Sequence, residues 1–241
     1  MREELKFEEE NLSFDCSCRE NYFSLSFINP VQALSSSVLN GGFCEISSFL
    51  NMKVDENFLG SKSEFPEPRE TLVERAAALG LSEPVAAMMT AASMKSFSRA
   101  ERRTGDIAVF CFLTSGLSNA LAAGDPADFM PSEMFSSPET ARYGTINIVM
   151  GTNISLTASA MAEAFMVSTE AKSSVLFERG DKSRLTDRIA TGTGTDSLLV
   201  FSPTAEPGQG EEYCGKHTKL GQLFAETVRE ALDCSIARYL P

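Results

Sequence analysis

Apolar and polar residues alternate with a period of two early in the chain and fall into helical stripes later. Tyr22 to Ile28 (YFSLSFI) interleaves aromatic or aliphatic residues with serine, the signature of a half-buried strand, and Asn29-Pro30 breaks it. Leu34 to Leu39 reads as a second short strand and Asn40-Gly41-Gly42 as a turn, after which Phe43 to Phe49 returns antiparallel. Arg69 to Leu79 carries Leu72, Val73, Ala76 and Leu79 at helical spacing, and Gly80 stops it. Ser82-Glu83-Pro84 reads as a new helix start, with Val85, Met88, Met89 and Ala92 on one face.

Ile107 to Leu113 (IAVFCFL) is continuously apolar, as in a central strand covered on both faces, and Thr145 to Met150 (TINIVM) predicts another strand. Between them, Gly124 to Ala141 is punctuated by Pro126, Pro131 and Pro138 and has no clean period, as in a lid, a binding loop or an insertion. Thr157 is placed to N-cap a helix over roughly Ala158 to Phe177, with Met161, Ala164, Phe165, Ser168 and Lys172 on one face and Gly180 past its end. Thr218 N-caps a last helix to about Tyr239, striped by Leu220, Leu223, Phe224, Val228, Leu232 and Ile236. These elements predict an α/β (α+β) fold, a single domain with a mixed central β-sheet covered by helices. The opening MREELKFEEENL sets residues 1–20 apart as an acidic N-terminal extension to a domain spanning 21–241.

Charge narrows the choice of partners. The formal net charge of -12 argues against nucleic acid and against anionic membrane surfaces. The longest apolar run, Ile107 to Leu113, is too short to span a bilayer, and no secretory signal is visible, so a cytoplasmic location is expected. The core must rest on 17 Phe and the aliphatics, since Trp is absent. Of six cysteines only Cys16 and Cys18 are close, as C-x-C, and a single histidine cannot complete a Cys2His2 zinc site; no metal is expected. Cys111 reads as core, and Cys214 is the thiol nearest the candidate chemistry.

That chemistry concentrates in Ala190 to Gly221. A Gly/Thr run, Thr191 to Asp196, precedes a strand-like LLVF, and Gly215-Lys216-His217-Thr218 leads into the last helix. His217 is the only histidine, and beside a positive helix end it suits acid/base work on developing negative charge. Two strands run into small polar loops, Thr114 to Ala120 and Gly151 to Asn153, where sheet proteins often place ligand contacts. Asn119 serves equally well as a turn residue or a ligand contact, whereas Asn40 reads first as a hairpin turn residue and then as a ligand contact, and Glu170 first as a solvated acid and then as a buried carboxylate.

Taken in order, T-S-G-L-S-N-A at Thr114 to Ala120, G-T-I-N-I at Gly144 to Ile148, T-E-A-K at Thr169 to Lys172, and A-T-G-T-G-T-D with G-K-H-T-K-L-G resemble the adenosylcobinamide amidohydrolase (CbiZ) family. The N-G-G turn at Asn40 to Gly42 fits as well, and the likeness runs from about Asn21 to the last helix. The resemblance implies an amidohydrolase domain that cleaves the amide between the aminopropanol arm and the corrin ring of adenosylcobinamide, giving adenosylcobyric acid. The cobalt corrinoid is then the small-molecule substrate and no cofactor is implied.

Amide hydrolysis needs an activated water or nucleophile, an oxyanion stabiliser and a proton for the leaving amine. His217 is the first choice for base and then acid, with Asp196 or Glu170 orienting it or activating water. Thr193, Thr195, Asn119, Asn153 and nearby backbone N–H groups are candidates for the oxyanion or the corrin's amides; Asn40, Ser118 and Asn147 join them as substrate-binding candidates, and Lys216 could neutralise charge. A hydroxyl nucleophile, Ser118 or Thr145, is an alternative that no G-x-S-x-G elbow supports. The rival readings are a non-catalytic corrinoid-binding or sensing protein and an amidohydrolase with a different substrate. The oligomeric state is left open.

Overall fold

Thr157 and Thr218 both cap helices as their spacing predicts. In the computed structural model, which describes residues 3–54, 67–127, 144–206 and 208–239, the Thr157 hydroxyl accepts from the Ala160 N–H and that of Thr218 from Gly221. The chain runs β1 (Glu3–Glu9), β2 (Leu12–Cys18), β3 (Tyr22–Ser35), β4 (Gly42–Lys53), α1 (Pro68–Ala78), β5 (Val85–Thr90), β6 (Ser98–Thr104), β7 (Ile107–Thr114) and β8 (Ala120–Leu121). It continues through β9 (Asn147–Thr152), α2 (Ala158–Arg179), β10 (Gly192–Thr193), β11 (Ser197–Pro203) and α3 (Lys219–Tyr239). Gly180 closes α2 in the left-handed conformation, φ 74°, which a glycine enters without steric cost.

Nine strands form one curled mixed sheet in the order β1-β2-β3-β11-β9-β7-β6, with β4 on β3 and β5 on β4. The β4–β5 and β9–β11 pairs are parallel and the others antiparallel. The sheet folds over a phenylalanine-rich core that includes Phe14, Phe23, Phe27, Phe49, Phe110, Phe112 and Phe201. Helices α2 and α3 cover the outer face of β7, β9 and β11 through Met161, Ala164, Leu223, Phe224 and Val228. Helix α1 covers the outer face of β4 and β5 through Leu72 and Ala76. The expected single domain with a mixed sheet and covering helices is what forms.

Three local expectations change. The Asn29-Pro30 break falls inside one long strand, β3, and is absorbed as a register shift between Ser26 and Val31. Val85 to Thr90 is a strand, not a helix. Val85 and Ala87 enter the α1 core while Ala86 and Met88 enter the phenylalanine core, so both faces are buried and no polar alternation marks the period. Residues 3–18, read from their charge as an extension, form the β1–β2 hairpin of the main sheet. Glu4 and Glu8 sit on exposed positions, while half-buried Glu3 and Glu9 pair with Arg99 and Arg103 at the two ends of the face that carries Phe7, which stacks on Phe14. From residue 128 onward, the proline-punctuated segment lies outside the described residues. Among the described residues no helix is long and apolar enough to cross a membrane.

Candidate active site

At the start of β9 the apolar lining between the sheet layers gives way to hydroxyls and amides. Asn147 and Val149 share a strand face, and Val149 belongs to the phenylalanine core, so Asn147 extends that layer with a polar group. Its Nδ2 donates to Asn51 Oδ1 (2.7 Å) and to the Met89 carbonyl (2.8 Å), and Asn51 Nδ2 donates to Thr114 Oγ1 (3.0 Å). Asn147 is fully buried, and among the described residues its Oδ1 has no donor. A buried acceptor without a partner costs about 1–3 kcal/mol, which makes this end of the core a place where a ligand N–H is favoured.

Two residues earlier, Thr145 is 4% exposed and its hydroxyl lies 2.6 Å from that of Thr195. Thr195 is exposed and also reaches the Gly144 carbonyl at 3.3 Å, so this hydroxyl pair links the buried layer to the surface. Gly144 is fixed by close approach: a Cβ there would stand 2.5 Å from the Gly116 carbonyl oxygen and 2.9 Å from the backbone nitrogens of Ser118 and Asn119. Asn119 ties this loop to the Gly/Thr turn, its carbonyl accepting from Gly194 N–H (3.2 Å) and its Oδ1 from Arg184 Nε (3.1 Å).

The turn is organised by Asp196. One carboxylate oxygen accepts from Lys172 Nζ and the Thr193 N–H (3.1 Å); the other accepts from the Thr193 hydroxyl and the Ile146 N–H (3.0 Å). Lys172, buried on α2, reaches the same carboxylate from the helix layer. Through these four donors Asp196 ties the start of β9, the Gly/Thr turn and α2 together.

The remaining sequence candidates lie elsewhere. Asn40 is a turn residue with φ 52°, its amide donating to the Val85 carbonyl (2.8 Å). Asn153 stands past the other end of β9 and ties down the β6–β7 turn through Ala108 N–H and the Asp106 carbonyl. Glu170 and Lys216 pair with one another on the surface. His217 is exposed just before α3. The Ser235 hydroxyl meets Ser115 at the end of β7 (2.6 Å), and Ser235 lies 16 residues along α3 from its start at Lys219, about 24 Å at 1.5 Å per residue. The structure gathers Ser118, Asn119, Asn147, Thr193, Thr195 and Asp196 and leaves Asn40, Asn153, Glu170, Lys216 and His217 outside that cluster. Cys214 is fully buried, and burial, then Glu163 and Glu211, push its thiol up to about 12, so it carries no thiolate at neutral pH.

Asn51, Thr114 and Lys172 complete the cluster without having been singled out for it. The available signal was a polar residue at an inward strand position, Asn51 within SSFLNM and Asn147 within TINIVM.

A threonine, asparagine and buried ion-pair cluster at one end of the curled sheet is the candidate site, and among the described residues no imidazole joins it. The chain belongs to the adenosylcobinamide amidohydrolase family, whose model matches residues 5–241. The adenosylcobinamide amidohydrolase of Methanosarcina mazei is 26% identical over 208 residues, 83% of this chain and 88% of that protein. An uncharacterized protein of Methanocaldococcus jannaschii is 28% identical over 219 residues, covering 86% and 82% respectively. Among solved structures, a Pyrococcus horikoshii OT3 protein matches at 12% identity and a TM-score of 0.48, over 92% of this chain and 79% of that one. The Burkholderia sp. beta-aminopeptidase matches at 15% and 0.45, over 98% and 82%.

The approach at Gly144 gives a test of the site's location. Gly144→Ala presses a methyl group on backbone atoms of Gly116, Ser118 and Asn119, which no side-chain rotation relieves. Overpacking of this kind costs about 1–3 kcal/mol. Amidohydrolase kcat/KM is expected to fall about tenfold, with a modest loss of melting temperature. Steady-state kinetics beside a thermal melt separates the two effects.

Proposed function

We propose that this chain hydrolyses the aminopropanol amide of adenosylcobinamide, giving adenosylcobyric acid, and that it does so at the Thr145–Thr195–Asn147 cluster. Membership of the family supports the reaction class. The observation that carries the location is the buried Oδ1 of Asn147, which has no donor among the described residues, beside a hydroxyl pair that leads to the surface. In this reading Asn147 Oδ1 accepts the N–H of the scissile amide, which fixes the carbonyl toward the Asn119 backbone N–H beside Gly144. That N–H then takes the oxyanion. Asp196 and Lys172 hold the three segments in register and do not themselves exchange protons with the substrate. The corrinoid is bound as substrate, and its bulk occupies the exposed side of Ser118 and Thr195.

The test is incubation of purified protein with adenosylcobinamide, with adenosylcobyric acid followed by chromatography and mass. His217→Ala is run alongside. Product is expected from both proteins, with rates within about threefold, because His217 is remote from the cluster. A wild type that binds the corrinoid and makes no product reverses the reading in favour of a corrinoid-binding protein. A His217→Ala rate lower by about 10²–10⁴, the size of a lost general acid or base, moves the chemistry to the α3 terminus.

A further inference from the structure

We infer that Thr145 is the nucleophile of this hydrolysis, an inference that rests on the reaction proposed above. Attack on the amide, by water or by a side-chain hydroxyl, needs an acceptor for the proton that the attacking oxygen gives up. Among the described residues of the cluster, Asp196 already accepts from four donors and the Lys172 ammonium is matched by Asp196, and His217 and Cys214 lie elsewhere. What the cluster does offer is a paired hydroxyl.

Thr195 has one hydroxyl hydrogen, and the Gly144 carbonyl at 3.3 Å is an acceptor for it. The Thr145 hydroxyl, 2.6 Å away, then donates to Thr195 and keeps its own lone pairs for attack. Its backbone is held on both sides, the carbonyl by the Gly116 N–H (3.0 Å) and the following N–H by Asp196 (3.0 Å). Branching at Cβ restricts χ1, so the hydroxyl is fixed in direction as well as position.

The steps balance as follows. Thr145 Oγ1 bonds to the amide carbonyl carbon and its proton passes to the Thr195 oxygen, while the Thr195 hydrogen turns from the Gly144 carbonyl to the amide nitrogen and is transferred there. The carbon–nitrogen bond breaks and aminopropanol leaves as the amine. The corrin side chain remains as an ester on Thr145. Water then adds to the ester carbonyl, the carbon–Oγ1 bond breaks, Oγ1 regains a proton through Thr195, and the carboxylic acid leaves.

The experiment combines variants with trapping. Wild type is first shown to turn over adenosylcobinamide; no product at that point removes the function and leaves nothing for a nucleophile to do. With turnover established, acid quench during steady state, proteolysis and mass spectrometry should find the corrinoid acyl group on the peptide carrying Thr145. Added hydroxylamine should divert part of the product to the hydroxamate. Thr145→Ala should lower kcat about a thousandfold or more with its melting curve retained, and Thr145→Ser should recover activity to within about tenfold of wild type. Turnover by Thr145→Ala within tenfold of wild type, or an ester found on another residue, overturns the assignment while leaving the reaction in place. If the alanine variant does not fold, the serine variant and the quench of wild type decide the question.

Discussion

Asp196→Ala is expected to lower the melting temperature by about 6–20 °C. The substitution leaves the Lys172 ammonium buried with no counter-charge, and breaking a buried pair from one side costs about 3–5 kcal/mol. For a domain of this size each kcal/mol is worth about 2–4 °C. The N–H groups of Thr193 and Ile146 and the Thr193 hydroxyl lose their acceptor as well. Because Ile146 follows Thr145, turnover should vanish even at temperatures where the variant is folded. A Lys172→Met, Asp196→Asn double variant removes both charges and should regain part of the melting temperature. Glu170→Ala provides the contrast: its pair with Lys216 is exposed, and such pairs contribute about 0–1 kcal/mol. Thermal denaturation of the four proteins under one buffer checks the ordering. A loss no greater for Asp196→Ala than for Glu170→Ala would remove the organising role given to this carboxylate.

Phe14→Ala is expected to cost about 3–5 kcal/mol. The Phe14 ring lies 5.0–5.8 Å from the rings of Phe7, Phe27, Phe110, Phe112 and Phe201, so it joins β1, β2 and β3 to β7 and β11. Its removal opens a void bounded by five rings on three parts of the sheet, where collapse from one side leaves the others unfilled. The urea midpoint should fall with an unchanged slope, since the amount of surface exposed on unfolding stays the same. Deleting residues 1–20 removes Phe7 and Phe14 together and bares Phe110 and Phe112. That protein is expected to be insoluble, whereas a dispensable extension would leave solubility and the midpoint unchanged.

The hairpin also shows what could be read from the chain and what could not. The two long helices were legible to the residue at their caps because Thr157, Gly180 and Thr218 are local signals, with donors and acceptors within a turn of the residue concerned. The buried strand β7 was legible because seven apolar residues in a row admit few other uses. β1 was obscured by composition, since Glu3, Glu4, Glu8 and Glu9 dominate a segment whose inward residues are few. β5 was obscured by burial on both faces, which erases the alternation that marks a strand. The candidate cluster was legible only in part. The Gly/Thr turn and the T-S-G-L-S-N-A loop marked two of its walls, whereas His217, singled out as the lone histidine, stands exposed before α3 and outside that cluster. Asn51 reaches Asn147 across 96 positions of sequence, a contact that only the curl of the sheet creates.

The route of β3 also bears on how the chain reaches this structure. Ser35 pairs with Leu199, 164 residues later, and β11 is the strand that inserts between β3 and β9. Until β11 is available, the end of β3 from Val31 to Ser35 has only β4 beside it, and its other edge is open to any passing strand. Contacts of such large sequence separation close slowly, and on the ribosome this one waits for most of the chain to be made. The insertion that completes the sheet is also the event that carries Asp196 to Lys172 and to the Ile146 N–H. Folding and the maturation of the site are therefore a single late step, and a nascent or truncated chain that lacks β11 holds an aggregation-prone edge in place of an enzyme.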